Sequence, residues 1–169
     1  MIKSFFSSIF AVFCFLFFEV VSLSNIVILP AVPDLMLIVC LYISLHNGIF
    51  LGETSGFFSG MMIDFLSSGP FGLNCLIRTI IGFLAGLLNR TVNTSGFLIP
   101  MVLGICGTLL KYLLLLLVSF FFPNNSVYTG LFSNEGLFEL VSNALLSPLI
   151  FWFLSLFNSY LLLEKEKSE

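Results

Sequence analysis

The side chains of this chain best able to do chemistry are ionisable or polar groups that lie inside long apolar stretches. A charge in hydrocarbon costs free energy, so each one needs a partner, a ligand or a water-filled cavity. The pattern indicates either a substrate or ion site or a polar clamp that fixes how helices pack, and the clamp is the simpler interpretation. The set is Asp34, Glu53, Asp64, Asn74, Arg78 and Lys111.

The spacing of these groups predicts a cluster. Glu53 and Asp64 are eleven residues apart, which returns them to nearly the same face of a helix. Asn74 and Arg78, four residues apart, share a face of the next helix. Asp64 and Arg78 flank a short turn, and Asp34 is predicted to lie in the same half of the membrane. We therefore expect a buried cluster in which Arg78 pairs with Asp64, Asp34 or both.

Two further features bear on chemistry. Lys111 lies near the middle of a later apolar stretch, where it could pair with Glu53 or reach a polar cavity, and the sequence does not decide between these. His46 is the sole histidine, and neither a Ser–His pair nor an HExxH pattern exists. We predict no enzymatic activity, no metal and no cofactor. The four cysteines are far apart in apolar runs and predict no disulfide or metal site: Cys14, Cys40, Cys75 and Cys106.

The composition predicts a membrane protein. Hydrophobic residues make up 59% of the chain and charged residues only 9%, whereas soluble domains average about 25% charged residues. Such a small number of charged residues cannot cover a water-facing surface. The lipid bilayer must therefore surround much of the chain. The apolar runs are long and continuous, which favours helices over a β-barrel. No basic run is present, so the sequence gives no support to nucleic-acid binding.

The predicted fold class is all-α, a polytopic bundle of six transmembrane helices. The domain prediction is one transmembrane domain over residues 1–163 and a short charged cytoplasmic tail over 164–169. The first stretch is interpreted as an uncleaved helix rather than a signal peptide, since it is long and no A-x-A site follows. The six predicted spans are 5–23, 26–45, 48–66, 73–88, 97–122 and 137–162.

The basic residues predict the orientation. In the six-span arrangement Lys3, Arg90, Lys165 and Lys167 all fall on one side, and the loops of the other side hold no Lys or Arg. Because positive loops stay in the cytoplasm, both termini are predicted to be cytoplasmic. The longest loop, 123–135, is then external.

Glycines and prolines predict how the helices pack. Glycines recur every four residues along the third span and once more in the fourth, a pattern that lets two helices approach closely. Packing within one bundle is favoured over homodimerisation. Pro30 and Pro33 are expected to bend or unwind the second span, and Pro148 the sixth. The glycines are Gly48, Gly52, Gly56, Gly60, Gly82 and Gly86.

Three features in order resemble the family of the rod shape-determining protein MreD. They are the Pro33-Asp34 pair opening the second helix, the glycine-rich third span ending in Asp64, and the turn that follows. That turn contains Gly69, Pro70 and Gly72. The length and the six-span layout also fit this family.

This resemblance implies a non-enzymatic scaffold of the bacterial cell-elongation (rod) complex in the inner, cytoplasmic membrane. Its implied partner is MreC, and the pair would link MreB filaments to peptidoglycan synthesis and so maintain cell shape. RodA and the elongation transpeptidase are implied as indirect partners. Asp34, Asp64 and Arg78 match polar positions of the family. The turn at His46-Asn47 departs from it, because basic residues would be expected there.

The alternative function is that of a substrate-binding membrane subunit of an energy-coupling-factor vitamin transporter. Those subunits are also small bundles of six helices with glycine-rich helices and internal polar sites, and the MreD family is similar to them in fold. A transporter subunit would bind its vitamin on the external side, where the polar cluster is predicted. The Gly-Pro-Phe-Gly-Leu turn at 69–73 favours the MreD family.

Overall fold

The structure is a computed structural model that describes residues 2–19, 31–67, 69–89, 91–92, 94, 96–121 and 133–162. Pro30, Arg90, most of the predicted external loop 123–135 and the predicted tail 164–169 lie outside these ranges. The side chain of Lys3 is likewise not described.

The described residues form helices and contain no strand, which confirms the all-α prediction for this part of the chain. The last helix is a single turn. In chain order the helices are α1 Ile2–Phe18, α2 Leu35–Asn47, α3 Ile49–Leu66, α4 Leu73–Leu87, α5 Leu98–Phe121, α6 Asn134–Ser155 and α7 Asn158–Leu161.

Two helices, α5 and α6, are long and apolar enough to cross a membrane. The apolar helices α2 and α4, and the stretch Phe6–Phe18 of α1, are shorter. Large apolar side chains cover the outside of the described molecule, for example Phe10 at 67% exposed and Phe120 at 79% exposed. A surface of this kind needs lipid or protein around it, which is consistent with a membrane protein.

The second helix is shorter than the sequence predicts. We expected a span over 26–45 that its prolines bend or unwind; α2 begins at Leu35, and residues 31–34 are not helical. Pro33 therefore lies in non-helical backbone just before α2, which agrees with unwinding and not with a bend. Asp34 is the N-cap, and its side chain accepts a hydrogen bond from the N–H of Leu37. This cap stabilises a helix that begins at Leu35, so α2 can form without a further helical turn before it.

The last predicted span, 137–162, is also divided. Helix α6 begins earlier, at Asn134, because the Ser133 side chain caps it by accepting from the N–H of Gly136. It ends at Ser155, and α7 follows after a short break. Pro148 lies inside α6.

Helix α2 is the centre of the molecule. All of its residues except His46 are buried, and it packs against α1, α3, α4, α5 and α6. A helix that is apolar on all sides is stable only when it is enclosed in this way. Its N-terminal end lies among these helices, so groups placed there are shielded from lipid and water.

The glycines of α3 and α4 let these two helices touch backbone to backbone. A Cβ placed on Gly56 would lie 2.3 Å from the carbonyl oxygen of Arg78, and one on Gly82 would lie 2.2 Å from that of Gly52. Gly60 meets the backbone of Cys75 in the same way. Real Cβ atoms do not approach so closely, so only glycine permits this contact.

The end glycines of the stripe have a related role. Gly48 is the turn between α2 and α3 and has a φ of 82°, which a residue with a side chain rarely adopts. The backbone of Gly48 and Ile49 lies directly against Gly86 of α4. The predicted glycine stripe is therefore occupied by α4 of the same chain.

Candidate functional site

Asp34 connects four elements from the N-terminal end of α2. Its Oδ1 accepts from the N–H of Leu37 at 2.9 Å and from Nη2 of Arg78 on α4 at 2.6 Å. Its Oδ2 accepts from Nζ of Lys111 on α5 at 2.8 Å. Its backbone N–H donates to Oδ1 of Asn143 on α6 at 2.9 Å. Asp34 is only 4% exposed, so the hydrogen bonds to its carboxylate are charge-assisted contacts in a buried position.

The network continues between α5 and α6. Lys111 donates to Oε1 of Glu139 at 2.6 Å, and the hydroxyl of Tyr112 donates to Oε2 at 2.9 Å. One turn away, Nδ2 of Asn143 donates to the hydroxyl of Thr108 at 3.0 Å. Thr108 lies three and four residues before Lys111 and Tyr112, and Glu139 lies four residues before Asn143, so these side chains can meet where α5 and α6 pack.

Small residues bring α5 and α6 close enough for these contacts. A Cβ on Gly104 would lie 2.1 Å from Oγ of Ser147 and 2.9 Å from the carbonyl oxygen of Asn143. Larger side chains at this crossing would separate the helices and pull Lys111 away from Glu139.

A third carboxylate approaches from α1. Oε2 of Glu19, the residue just after α1, accepts from the N–H of Met36 in the first turn of α2 at 3.0 Å. Glu19 is within electrostatic range of Asp34, Arg78 and Lys111. The cluster thus contains three carboxylates, on Glu19, Asp34 and Glu139, and two cations, on Arg78 and Lys111.

In the structure Asp64 does not bind Arg78 but binds the start of α4. Its carboxylate accepts from the N–H groups of Gly72, Asn74 and Cys75 at 3.0, 3.1 and 3.0 Å. It also accepts from Nδ2 of Asn74 at 2.9 Å. The N-cap residue of α4 is Gly72, which has no side chain to bind these exposed N–H groups. Asp64 of α3 supplies that missing cap from across the turn.

The predicted cluster therefore separates into two sites. We expected Arg78 to pair with Asp64, Asp34 or both. In the structure Arg78 binds Asp34, while Asp64 and Asn74 bind each other. The possible pairing of Lys111 with Glu53 does not form, because Lys111 is bound to Asp34 and Glu139. Glu53 is half-buried near the start of α3. Its neighbour Gly52 packs on Ser44, near the other end of α2.

Sequence reasoning missed Glu19, Glu139, Tyr112 and Asn143 of the network. Glu19 and Glu139 are acids inside predicted apolar spans, which is the same signal that singled out Glu53, so a complete search for such residues would have found both. Asn143 lies inside a predicted span as Asn74 does, so a search for polar residues in apolar runs would have listed it too.

The opposite end of α2 borders a cavity of about 510 Å³. The hydroxyl of Tyr42 donates to Oδ1 of Asn158. Nδ1 of His46 lies 2.9 Å from the carbonyl oxygen of Tyr42, and its Nε2 lies 3.0 Å from the hydroxyl of Thr94. Both ring nitrogens are thus engaged. Across the described ranges, no three His, Cys, Asp or Glu side chains converge as metal ligands would.

Comparison with known families decides what this bundle is. A family model described as rod shape-determining protein MreD matches residues 1–157. The chain belongs to the MreD family. No curated protein and no solved structure matches it significantly.

Membership confirms the resemblance seen in the sequence. MreD-family proteins are membrane proteins with a role in rod-shape determination, and they are shape-determining structural proteins. In this MreD-family chain the buried charges link α2, α4, α5 and α6. Such a network can fix the positions of helices, and it can also hold an exchangeable proton or ligand.

Proposed function

We propose that this chain is a non-enzymatic membrane scaffold of the cell-elongation complex. In this role it holds MreC and, through MreC, links MreB filaments to peptidoglycan synthesis by RodA and the elongation transpeptidase. The observation that carries the proposal is the match of the MreD family model to residues 1–157.

The proposed topology is six spans in the bacterial inner membrane with both termini in the cytoplasm, in a fold like that of energy-coupling-factor substrate-binding subunits. The helix order and the one-sided Lys and Arg residues support it. Helix α2 has 13 residues, or about 20 Å, against a hydrocarbon core of about 30 Å. In this topology the non-helical residues before Leu35 complete the second crossing.

The proposed contact surface for MreC is the phenylalanine face of α1. The glycine stripe is already packed between α3 and α4, so it is not available to a partner. Four phenylalanines spaced four, three and four residues apart share one side of α1 and are half to two-thirds exposed. They are Phe6, Phe10, Phe13 and Phe17.

Co-purification from native membranes tests the scaffold. Affinity-tagged chain solubilised in mild detergent is expected to recover MreC together with the wall synthases. Recovery of a pair of ATPases with a transmembrane coupling subunit, without MreC, would instead indicate the transporter function.

Photo-crosslinking tests the surface. A photoreactive phenylalanine at Phe10 or Phe13 is expected to give an adduct with the mass of MreC. Matched controls at Leu113 and Leu117 of α5, which are 54% and 48% exposed, are expected to give none. Equal adducts from both helices would contradict the assignment to α1.

A further inference from the structure

Among the described residues, the charges of the polar network do not balance. Three carboxylates, on Glu19, Asp34 and Glu139, face two cations, on Arg78 and Lys111. An unbalanced charge is costly here, because Asp34, Arg78 and Glu139 are buried and Glu19 is half-buried, so bulk solvent screens these charges little. One carboxyl group of the three must therefore be neutralised by something besides Arg78 and Lys111.

The contacts identify which carboxyl group this is. Asp34 is bound by both cations, and Glu139 is bound by Lys111 and by the hydroxyl of Tyr112. Within the described residues, the hydrogen bond to Glu19 comes from an uncharged group, the N–H of Met36. Glu19 is the member of the set that gains least from being ionised.

Arg78 supplies an independent observation. Its Nη2 binds Asp34, but its Nη1 is buried and has no hydrogen-bond partner among the described atoms. Arg78 is 3% exposed, so this N–H group has lost its water without gaining an acceptor, which is unfavourable. Glu19 and Arg78 interact electrostatically. An ionised Glu19 would be drawn to this buried donor, yet its described hydrogen bond is to the N–H of Met36 and not to Arg78.

We propose that Glu19 is a proton-binding site within the membrane. In the proton-bound form, the neutral Glu19 rests on the N-terminal turn of α2 and the cluster has no net charge. When the proton leaves, the carboxylate turns to Nη1 of Arg78, which then holds Glu19 and Asp34 together. Proton occupancy thereby sets how the end of α1 is attached to α2. This inference does not depend on the partner proposed above.

The other titratable groups on the elements around Glu19 are engaged or distant. On α3, Asp64 is bound to the first turn of α4, and Glu53 lies toward the end of α2 opposite to Met36. On α2, Cys40 lies against Ser44 and Ser55. On α7, Tyr160 lines an apolar pocket whose α1 residues lie between Ser7 and Phe15 and do not include Glu19. The groups that face Glu19 are those of the network itself.

Infrared spectroscopy of the full chain in lipid tests the proposal. At neutral pH the wild type is expected to show the carbonyl band of a protonated carboxyl group, and the band is expected to be lost in Glu19→Gln. The control Glu53→Gln, which changes a half-buried acid on α3, is expected to retain this band. A Glu19→Gln spectrum identical to that of the wild type would overturn the proposal.

A second measurement uses the wild type, so it does not depend on a variant that folds. A hydrophobic carbodiimide adds to a protonated carboxyl group: the proton moves to a carbodiimide nitrogen, the carboxyl oxygen bonds to the central carbon, and the product rearranges to a stable N-acylurea without a leaving group. Peptide mass mapping at neutral pH is expected to find this adduct on Glu19 and not on Asp34 or Glu139. An adduct on either of the latter, with Glu19 unmodified, would refute the proposal.

Discussion

The carboxylate of Asp34 accepts hydrogen bonds from residues of α2, α4 and α5. Burial strengthens each contact, but it also makes the loss of one partner expensive, since the others remain buried without it. The stability of this bundle therefore depends strongly on Asp34, although most of the residues in the bundle are apolar.

Asp34→Asn tests this dependence. The amide can still cap α2, but Arg78 and Lys111 lose the charge that they share, so we expect destabilisation by about 3–5 kcal/mol. Reversible unfolding in mixed detergent micelles measures the change. Glu53→Gln serves as the control and should change stability by less than about 1 kcal/mol. Equal effects from the two variants would contradict the network.

Double-mutant cycles distinguish the two acidic sites. Asp34→Ala and Arg78→Ala remove partners of one contact, so their effects are expected to be non-additive by about 0.5–3 kcal/mol. Asp64→Ala and Arg78→Ala remove separate contacts and are expected to add within about 0.5 kcal/mol. Unfolding free energies of the single and double variants supply both values. Strong coupling between Asp64 and Arg78 would show that the two sites are one.

At the scale of elements, two kinds of contact join the helices: close packing at small residues, and hydrogen bonds between charged side chains. Glycines set the contact of α3 with α4, and Gly104 sets that of α5 with α6. The charged side chains then reach across gaps that these close contacts fix. The two kinds of residue therefore act together, although they are far apart in sequence.

Gly56→Ala tests the α3–α4 contact. Its Cβ would meet the carbonyl oxygen of Arg78 at 2.3 Å, so the helices must separate and Arg78 must move relative to Asp34. We expect a cost of about 1–3 kcal/mol, as for other overpacked positions. Gly69→Ala is the control, because its Cβ would meet only Oγ of Ser67 at 3.7 Å. Thermal unfolding in detergent compares the two, and equal melting temperatures would argue against the close contact.

At the scale of the whole molecule, polar and apolar side chains are arranged in the opposite way to those of a soluble protein. Charges and hydrogen bonds lie at the centre, around the start of α2, and large apolar side chains lie outside. In lipid, burial of apolar side chains gives little driving force between helices, so small-residue packing and polar contacts must supply it. This reversal explains why the buried charges are retained despite their cost.

Reporter fusions test the proposed topology. A fluorescent protein that matures only in the cytoplasm is expected to be bright when fused after Glu169, and dark when inserted in the loop 123–135. A periplasm-dependent phosphatase should give the inverse result at both positions. A bright insertion in the loop would exclude the proposed orientation, and bright signals at both positions would exclude a crossing between the loop and the C-terminus.

The sequence alone determined the class of the protein. Continuous apolar runs and the shortage of charge predict helices in lipid, because these properties belong to each segment independently of its neighbours. The family pattern from Pro33 to Gly72 is likewise local, and the family match confirms it. The starts of α3 and α4 were predicted within a residue or two because Gly48 and Pro70 interrupt the chain there.

The tertiary structure alone decided which charges meet. Asp34 and Lys111 are 77 residues apart, and no periodicity within a helix specifies which helices become neighbours. Asp64 was one of the two partners expected for Arg78, but it binds backbone N–H groups instead, because the glycine at the start of α4 leaves them uncapped. Pairing among buried charges depends on helix positions set by packing over the whole bundle, so the sequence could list candidates for the site but could not choose the pairs.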